Sequence, residues 1–194
     1  MYIDYVTENE LWVSNGDFEP NKTITRGEVC AMLYRAVGAA KAEYQPSYDD
    51  VFPETNNATE IIGISQMGVM QGYEGYFRPQ DSITREELAV VLERVYRMMS
   101  DEITEHEVNP NRLLDFNEIS EYAQQSVMNM VENSIFTGVG QRCFAPKRQV
   151  TRAEMAKLVS KIHQSKIKVK RFTTEKVSIS NPQTAYEVYQ EGVV

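Results

Sequence analysis

Apolar residues recur at helical spacing in three separate stretches of the chain. Val29, Met32, Leu33 and Ala36 form one set, Leu88, Val91, Leu92 and Val95 a second, and Met155, Leu158, Val159 and Ile162 a third. The i, i+3, i+4, i+7 pattern is one face of a 3.6-residue helix. It predicts helices over 26–37, over 85–99, and onward from 152. Other apolar sets precede them. Tyr2, Ile3, Tyr5, Val6 and Leu11 predict a short helix within 1–13; Ile61, Ile62, Ile64 and Met67 a helix before the second stripe; Val127, Met128, Met130, Val131 and Ile135 one before the third. Residues 39–46 and the polar run over 100–112 read as linkers. After Gln164 the period changes: Lys166-Ile167-Lys168-Val169-Lys170 alternates strictly, which predicts an extended tail.

Each stripe is introduced by the same phrase, Phe-x-Pro-x-x-x-(Ile/Val)-Thr-Arg-x-Glu. It begins at Phe18, Phe77 and Phe144 and ends at Glu28, Glu87 and Glu154. Such internal repetition decides the architecture before any local feature does. Thr-Arg-x-Glu before an apolar run is a capping box. The Thr hydroxyl accepts from the amide three residues on, and the Glu carboxylate accepts from the Thr amide. Thr25/Glu28, Thr84/Glu87 and Thr151/Glu154 are the pairs, each cap worth about 1 kcal/mol. Ile24, Ile83 and Val150 stand where a hydrophobic staple would.

The arginine of the phrase is not explained by helix stability. Arg26, Arg85 and Arg152 take the first helical position, near the positive end of the macrodipole, where a cation is mildly unfavourable. Two readings stay open from the residues alone. Beside free amides, each Arg could build a corner that recognises an anion, or each could pair with a neighbouring carboxylate and tie the repeats together.

The phrase resembles the Thr-Arg-Ala-Glu signature of S-layer homology repeats. Thr151-Arg152-Ala153-Glu154 matches the usual form, whereas Gly27 and Glu86 replace its Ala in the other copies. Tyr48-Asp49-Asp50-Val51 is similar to the Phe-x-Asp-Val opening of these repeats, and Gly68-Val69-Met70-Gln71-Gly72 to their Gly-Ile-x-x-Gly turn. Asn56-Asn57 departs from the Trp-Ala pair common early in the helix, and Ser134 departs from the first turn glycine. The resemblance covers roughly residues 1–164. It implies an all-α fold of three helix–loop–helix repeats, pseudo-threefold around a central three-helix bundle. The boundaries are 1–38 for an incomplete first repeat lacking its opening segment, 46–100, 112–164, and a tail over 165–194 outside the resemblance. It further implies noncovalent attachment of a larger surface protein to an anionic, pyruvylated polysaccharide of a bacterial cell wall.

Composition narrows the alternatives. The 194 residues suffice for one domain with a real core, and 42% hydrophobic with 25% charged residues are ordinary for a globular chain. A net charge of −8 argues against nucleic acid as a partner, which favours a basic surface. No run of 18 apolar residues predicts a membrane span. Met1-Tyr2-Ile3-Asp4-Tyr5 has neither the basic start nor the apolar core of a signal peptide, so a surface role predicts a fragment or a mature piece. Cys30 and Cys143 exclude a disulfide scaffold and a cysteine-based zinc site, and spacing does not say whether they pair. His106 and His163 have no evident nucleophile or metal partner, and Asp49/Asp50 lack the geometry of a glycosidase pair. The chain reads as a non-enzyme without a cofactor.

The candidate ligand residues are therefore Arg26, Arg85 and Arg152, on which the resemblance places the polymer. Asp50 and Asp115 join them: as residues they would cap the entering helix, while the resemblance sets them beside the groove. Gly72 and Gly138 serve the turn first. Tyr76, with Tyr73 and Trp12, could offer a ring to a pyranose, although Trp12 is better read as half-buried structure. The competing function is a degenerate repeat unit acting in protein interaction or self-assembly.

Overall fold

The computed structural model describes residues 2–14, 16–40, 42–99, 103–137 and 139–164. The expectation of an extended tail over 165–194 and the turn role of Gly138 lie outside these residues. The described residues form six α-helices: α1 Tyr2–Glu8, α2 Arg26–Ala36, α3 Ala58–Gln66, α4 Arg85–Met99, α5 Glu121–Glu132 and α6 Arg152–Gln164. A 3₁₀ turn over Phe116–Glu118 precedes α5. Among the described residues there is no strand, only isolated bridges. The first helix is shorter than its apolar set suggested: Leu11 and Trp12 both donate to the Val6 carbonyl and fold back beneath it.

All three predicted capping boxes form. Thr25 Oγ1 accepts from the Glu28 amide at 3.2 Å, and the Thr25 amide donates to Glu28 Oε2 at 3.0 Å. The same pair of bonds links Thr84 with Glu87 and Thr151 with Glu154. All twelve stripe residues are buried, as are Phe77 and Phe144.

The staple positions do more than pack. Ile24 donates its amide to the Val150 carbonyl at 2.9 Å, Val150 to Ile83 at 3.0 Å, and Ile83 to Ile24 at 3.4 Å. The three residues before the caps thus close a ring of backbone hydrogen bonds, with the three side chains fully buried. Helices α2 and α6 pack directly on each other. Yet the main partner of each capped helix is the leading helix of another repeat: α2 lies on α3, α4 on α5, and α6 on α1. Each apolar stripe is covered mostly by a neighbour's leading helix rather than by another stripe. The repeats are exchanged around the molecule in this way, and α1, although only seven residues long, closes the circuit on α6.

The contact between α4 and α5 includes a buried polar cluster. Glu93 of α4, only 8% exposed, accepts from Ser126 Oγ at 2.5 Å and Asn129 Nδ2 at 2.7 Å of α5, and from Arg97 one turn along. Burial raises its pKa, but these donors outweigh burial and hold the carboxyl below the usual range.

Candidate functional site

The three motif arginines reach from one repeat into the phrase of another. Arg26 donates Nε to the Phe77 carbonyl at 2.9 Å and Nη2 to that of Gln71 at 2.9 Å. Arg85 repeats this on Phe144 at 2.7 Å and Thr137 at 2.9 Å. Arg152 donates Nη1 to the Phe18 carbonyl at 3.2 Å and adds Glu19 and Glu28. Each guanidinium also lies over aromatic rings: Arg26 on Phe77, Arg85 on Phe136 and Phe144, and Arg152 on Trp12, all 4.5–4.9 Å from the centroids. Such stacking favours the charged form of a planar cation. Arg85 and Arg152 are buried. Burial lowers the Arg85 pKa to about 10, opposed by Glu154 at 3.6 Å, and the side chain stays charged at neutral pH.

The amides expected to be free beside these arginines are not free. Arg26 and Gly27 donate to the Asp81 and Pro79 carbonyls, Arg85 and Glu86 to Arg148 and Pro146, and Arg152 and Ala153 to Lys22 and Pro20. The first two amides of every capped helix are taken by the loop of another repeat, and the third by the capping threonine. An anion corner built from helix amides is therefore occupied by protein. Both halves of each motif, amides and guanidinium, tie repeats together.

Asp50 and Asp115 do not cap the entering helices. Asp50 accepts the amides of Phe77 at 2.8 Å and Arg78 at 2.6 Å; Asp115 accepts those of Phe144 at 2.9 Å and Ala145 at 2.6 Å. The residue after each phrase phenylalanine needs holding, because its φ is positive: +48° at Glu19, +58° at Arg78 and +58° at Ala145. Non-glycine residues adopt this region at a cost, and at Arg78 and Ala145 two amides aimed at one carboxylate offset it.

A groove of about 380 Å³ runs beside α4, walled by Glu87, Val90 and Arg94 and, from α5, Tyr122. Across it stand Arg26, Gly72 and Tyr76, so the fold brings together three of the expected ligand residues, with Tyr73 and Arg78 on the same wall. Tyr73 and Tyr76 are exposed and exchange backbone hydrogen bonds at the tip of the loop. Gly72 permits that loop: a Cβ there would lie 2.3 Å from the Tyr76 carbonyl oxygen and 2.7 Å from the Tyr48 ring. Asp50, Asp115, Arg85 and Arg152 do not line this groove.

A second groove of about 380 Å³ occupies the corresponding place beside α2. It is lined by Trp12, Ser14, Glu28, Ala31, Arg35 and Asn56, among others. Place for place, Arg35 corresponds to Arg94, Ala31 to Val90, and Asn56 to Tyr122. Its electrostatics differ: Arg35 is bound to Glu60 of α3 at 2.8 Å. Sequence reading missed this pair of wall cations. The signal was available, since Arg35, Arg94 and Lys161 stand at the same distance from Thr25, Thr84 and Thr151 in the three copies.

Glu86 was likewise visible only as a departure from Ala. Its buried carboxylate accepts the Ser120 amide and hydroxyl, both at 3.0 Å, and Lys147 Nζ at 2.5 Å. It sits at the start of α5, whose capping residue Ser120 makes no side-chain cap of its own, and an acidic group is favourable at that end. Tyr122 nearby has its phenol pKa pushed up by burial and by Glu86 and Glu87.

Among the described residues no group of His, Cys, Asp and Glu could hold a metal ion, and no helix is long and apolar enough to cross a membrane. The family model for the S-layer homology domain matches residues 47–89 and 113–156. These ranges end within the second and third capped helices. The chain is similar to an amylopullulanase of Thermoanaerobacterium thermosulfurigenes, 33% identical over 147 residues, which cover 76% of this chain and 8% of that protein. It resembles an exoglucanase of Acetivibrio thermocellus at 31% over 147 residues, 76% of the chain and 13% of the relative. Against the S-layer protein sap of Bacillus anthracis the identity is 25% over 203 residues, 98% of the chain and 24% of that protein. The chain thus spans a quarter or less of the length of each of these relatives. With two copies of its phrase falling inside matches to the family model, the chain belongs to the S-layer homology domain family.

Proposed function

We propose that this chain is a non-catalytic cell-wall anchoring module, which binds an anionic wall polysaccharide in grooves between its repeats and so holds a larger protein at the bacterial cell surface. The observation that carries this reading is the groove beside α4, where Arg26, Gly72 and Tyr76 meet Arg94, Arg78 and Tyr122. Arginines suit carboxylates or other anionic groups of a glycan, and tyrosines suit the faces and hydroxyls of pyranose rings. The overall charge of −8 does not oppose this, because exposed charges beyond about 8 Å are largely screened at physiological salt. The company the domain keeps is consistent: relatives include an amylopullulanase, an exoglucanase, an S-layer protein and a cellulosome-anchoring protein.

In this reading Arg26, Gly72 and Tyr76 act at the groove. Asp50, Asp115, Arg85 and Arg152 act indirectly, by setting the loops that form groove walls. Calorimetric titration with purified secondary wall polysaccharide, intact and after removal of its pyruvyl groups, tests it. Preferential binding of the intact polymer is expected. A folded protein that binds neither form would return the chain to protein interaction or self-assembly.

A further inference from the structure

We infer that Arg94 is the residue that receives the negatively charged group of the bound sugar, and that charge-dependent recognition is concentrated in the α4 groove rather than in its counterpart beside α2. This rests on the wall-binding reading above and assigns it to a residue outside the Thr-Arg-x-Glu motif.

The two grooves have the same volume and a cation at the same place, yet the cations are in different states. Arg35 is bound to Glu60 at 2.8 Å, and both partners are largely shielded, with side chains 25% and 17% exposed. An anion entering that groove would have to displace a carboxylate already in place. Arg94 has no such partner among the described residues. Among the described residues its hydrogen bond is a long one, 3.5 Å from Nη1 to the Val69 carbonyl, and it is half-buried in the wall. The carboxylate nearest in the wall by sequence, Glu87, is engaged by the amide and hydroxyl of Thr84 at 2.8 and 2.9 Å.

Arg26, the motif arginine in the same groove, is less able to serve. Its Nε and Nη2 are directed at the Phe77 and Gln71 carbonyls, and its plane lies 4.9 Å from the Phe77 centroid. A guanidinium gains most when its fork engages a planar carboxylate through two parallel bonds, and Arg94 has the donors for this. The rest of the groove suits the remainder of a sugar. Tyr76 and Tyr122 line it, whereas the α2 groove offers the ring of Trp12, with Asn56 in the place of Tyr122, and Arg78 adds positive charge. A volume of about 380 Å³ is at the small end of the range for small-ligand sites, which suits one or two residues of a polymer.

The test is titration calorimetry of Arg94→Gln, Arg94→Lys, Arg35→Gln and the unsubstituted chain. The probes are pyruvylated wall polysaccharide and the same polymer with its pyruvyl ketals removed by mild acid. Arg94→Gln is expected to weaken binding of the pyruvylated polymer about tenfold or more and to leave any binding of the stripped polymer unchanged. Arg94→Lys should retain part of the affinity, because the charge remains without the fork, and it also controls for folding. Arg35→Gln should stay within about twofold of the unsubstituted chain. Unchanged affinity in Arg94→Gln, or an equal loss in Arg35→Gln, would overturn the inference and leave wall binding standing. Equal binding of both polymers by the unsubstituted chain would also overturn it alone. Binding of neither would remove the wall-binding reading, and this inference with it.

Discussion

Arg85 and Asp115 hold the same residue from opposite ends. Asp115 accepts the Phe144 amide at 2.9 Å while Arg85 donates to the Phe144 carbonyl at 2.7 Å and stacks on its ring. Asp50 and Arg26 grip Phe77 in the same way. The Asp comes from the opening of the repeat that carries the phenylalanine, and the Arg from the capped helix before it. The second and third phrases are therefore shaped by their own repeat and locked by the one before.

Removing that lock should cost stability before it costs recognition. Arg85→Ala strands the Phe144 and Thr137 carbonyls and the side chain is 3% exposed, so a loss of about 2–5 kcal/mol is expected in urea unfolding. Arg26→Ala, at a half-buried site, should cost less. Comparable losses from the two would show that burial does not govern the effect.

The three capping boxes should not be equivalent. Thr84→Ala is expected to cost about 1 kcal/mol, the usual value of a cap. Glu28→Ala should cost clearly more, because Glu28 also receives Arg152 Nη2 at 2.5 Å and its loss leaves that buried cation with fewer acceptors. Chemical denaturation of the two variants in parallel decides this.

Glu93 gives the fold an acid limit. Its pKa is held below the ordinary value of 4.5 in the folded chain. Its contribution is therefore complete above the unfolded value and declines as pH falls through the depressed folded value. Melting temperature should drop below roughly pH 4.5, and less steeply in Glu93→Gln. A variant with the same acid slope as the parent would assign the sensitivity to other carboxylates.

Gly72→Ala should deform the Tyr73–Tyr76 loop, because the new methyl would sit 2.3 Å from a backbone oxygen that has little room to move. A destabilisation of about 1–3 kcal/mol is expected, together with weaker polysaccharide binding. Crystallography or tyrosine resonances in NMR would show the displaced loop; an unmoved loop would remove Gly72 from the determinants of groove shape.

Local chemistry was readable from residues alone. Thr, Glu and the apolar stripe each act within one helical turn or one helix face, so the caps, the helix starts at Arg26, Arg85 and Arg152, and the buried rings of Phe77 and Phe144 follow from spacing. The resemblance carried by those residues named the family. The roles of Arg and Asp were harder, since both types are equally at home on a ligand, a cap or a backbone carbonyl.

What the sequence determined by itself is the repeat and its helices, because capping and amphipathicity involve neighbours no more than about four residues apart. Tertiary structure alone decided which helix covers which stripe, that the helix amides and motif arginines are taken up by other repeats, and that Arg35 is paired with Glu60 while Arg94 has no carboxylate partner among the described residues. Those outcomes depend on groups 25 or more positions apart in the chain. Long-range contacts of this kind are not set by spacing within one helix; they belong to the packing of repeats that also joins Ile24, Val150 and Ile83 in a ring of backbone hydrogen bonds.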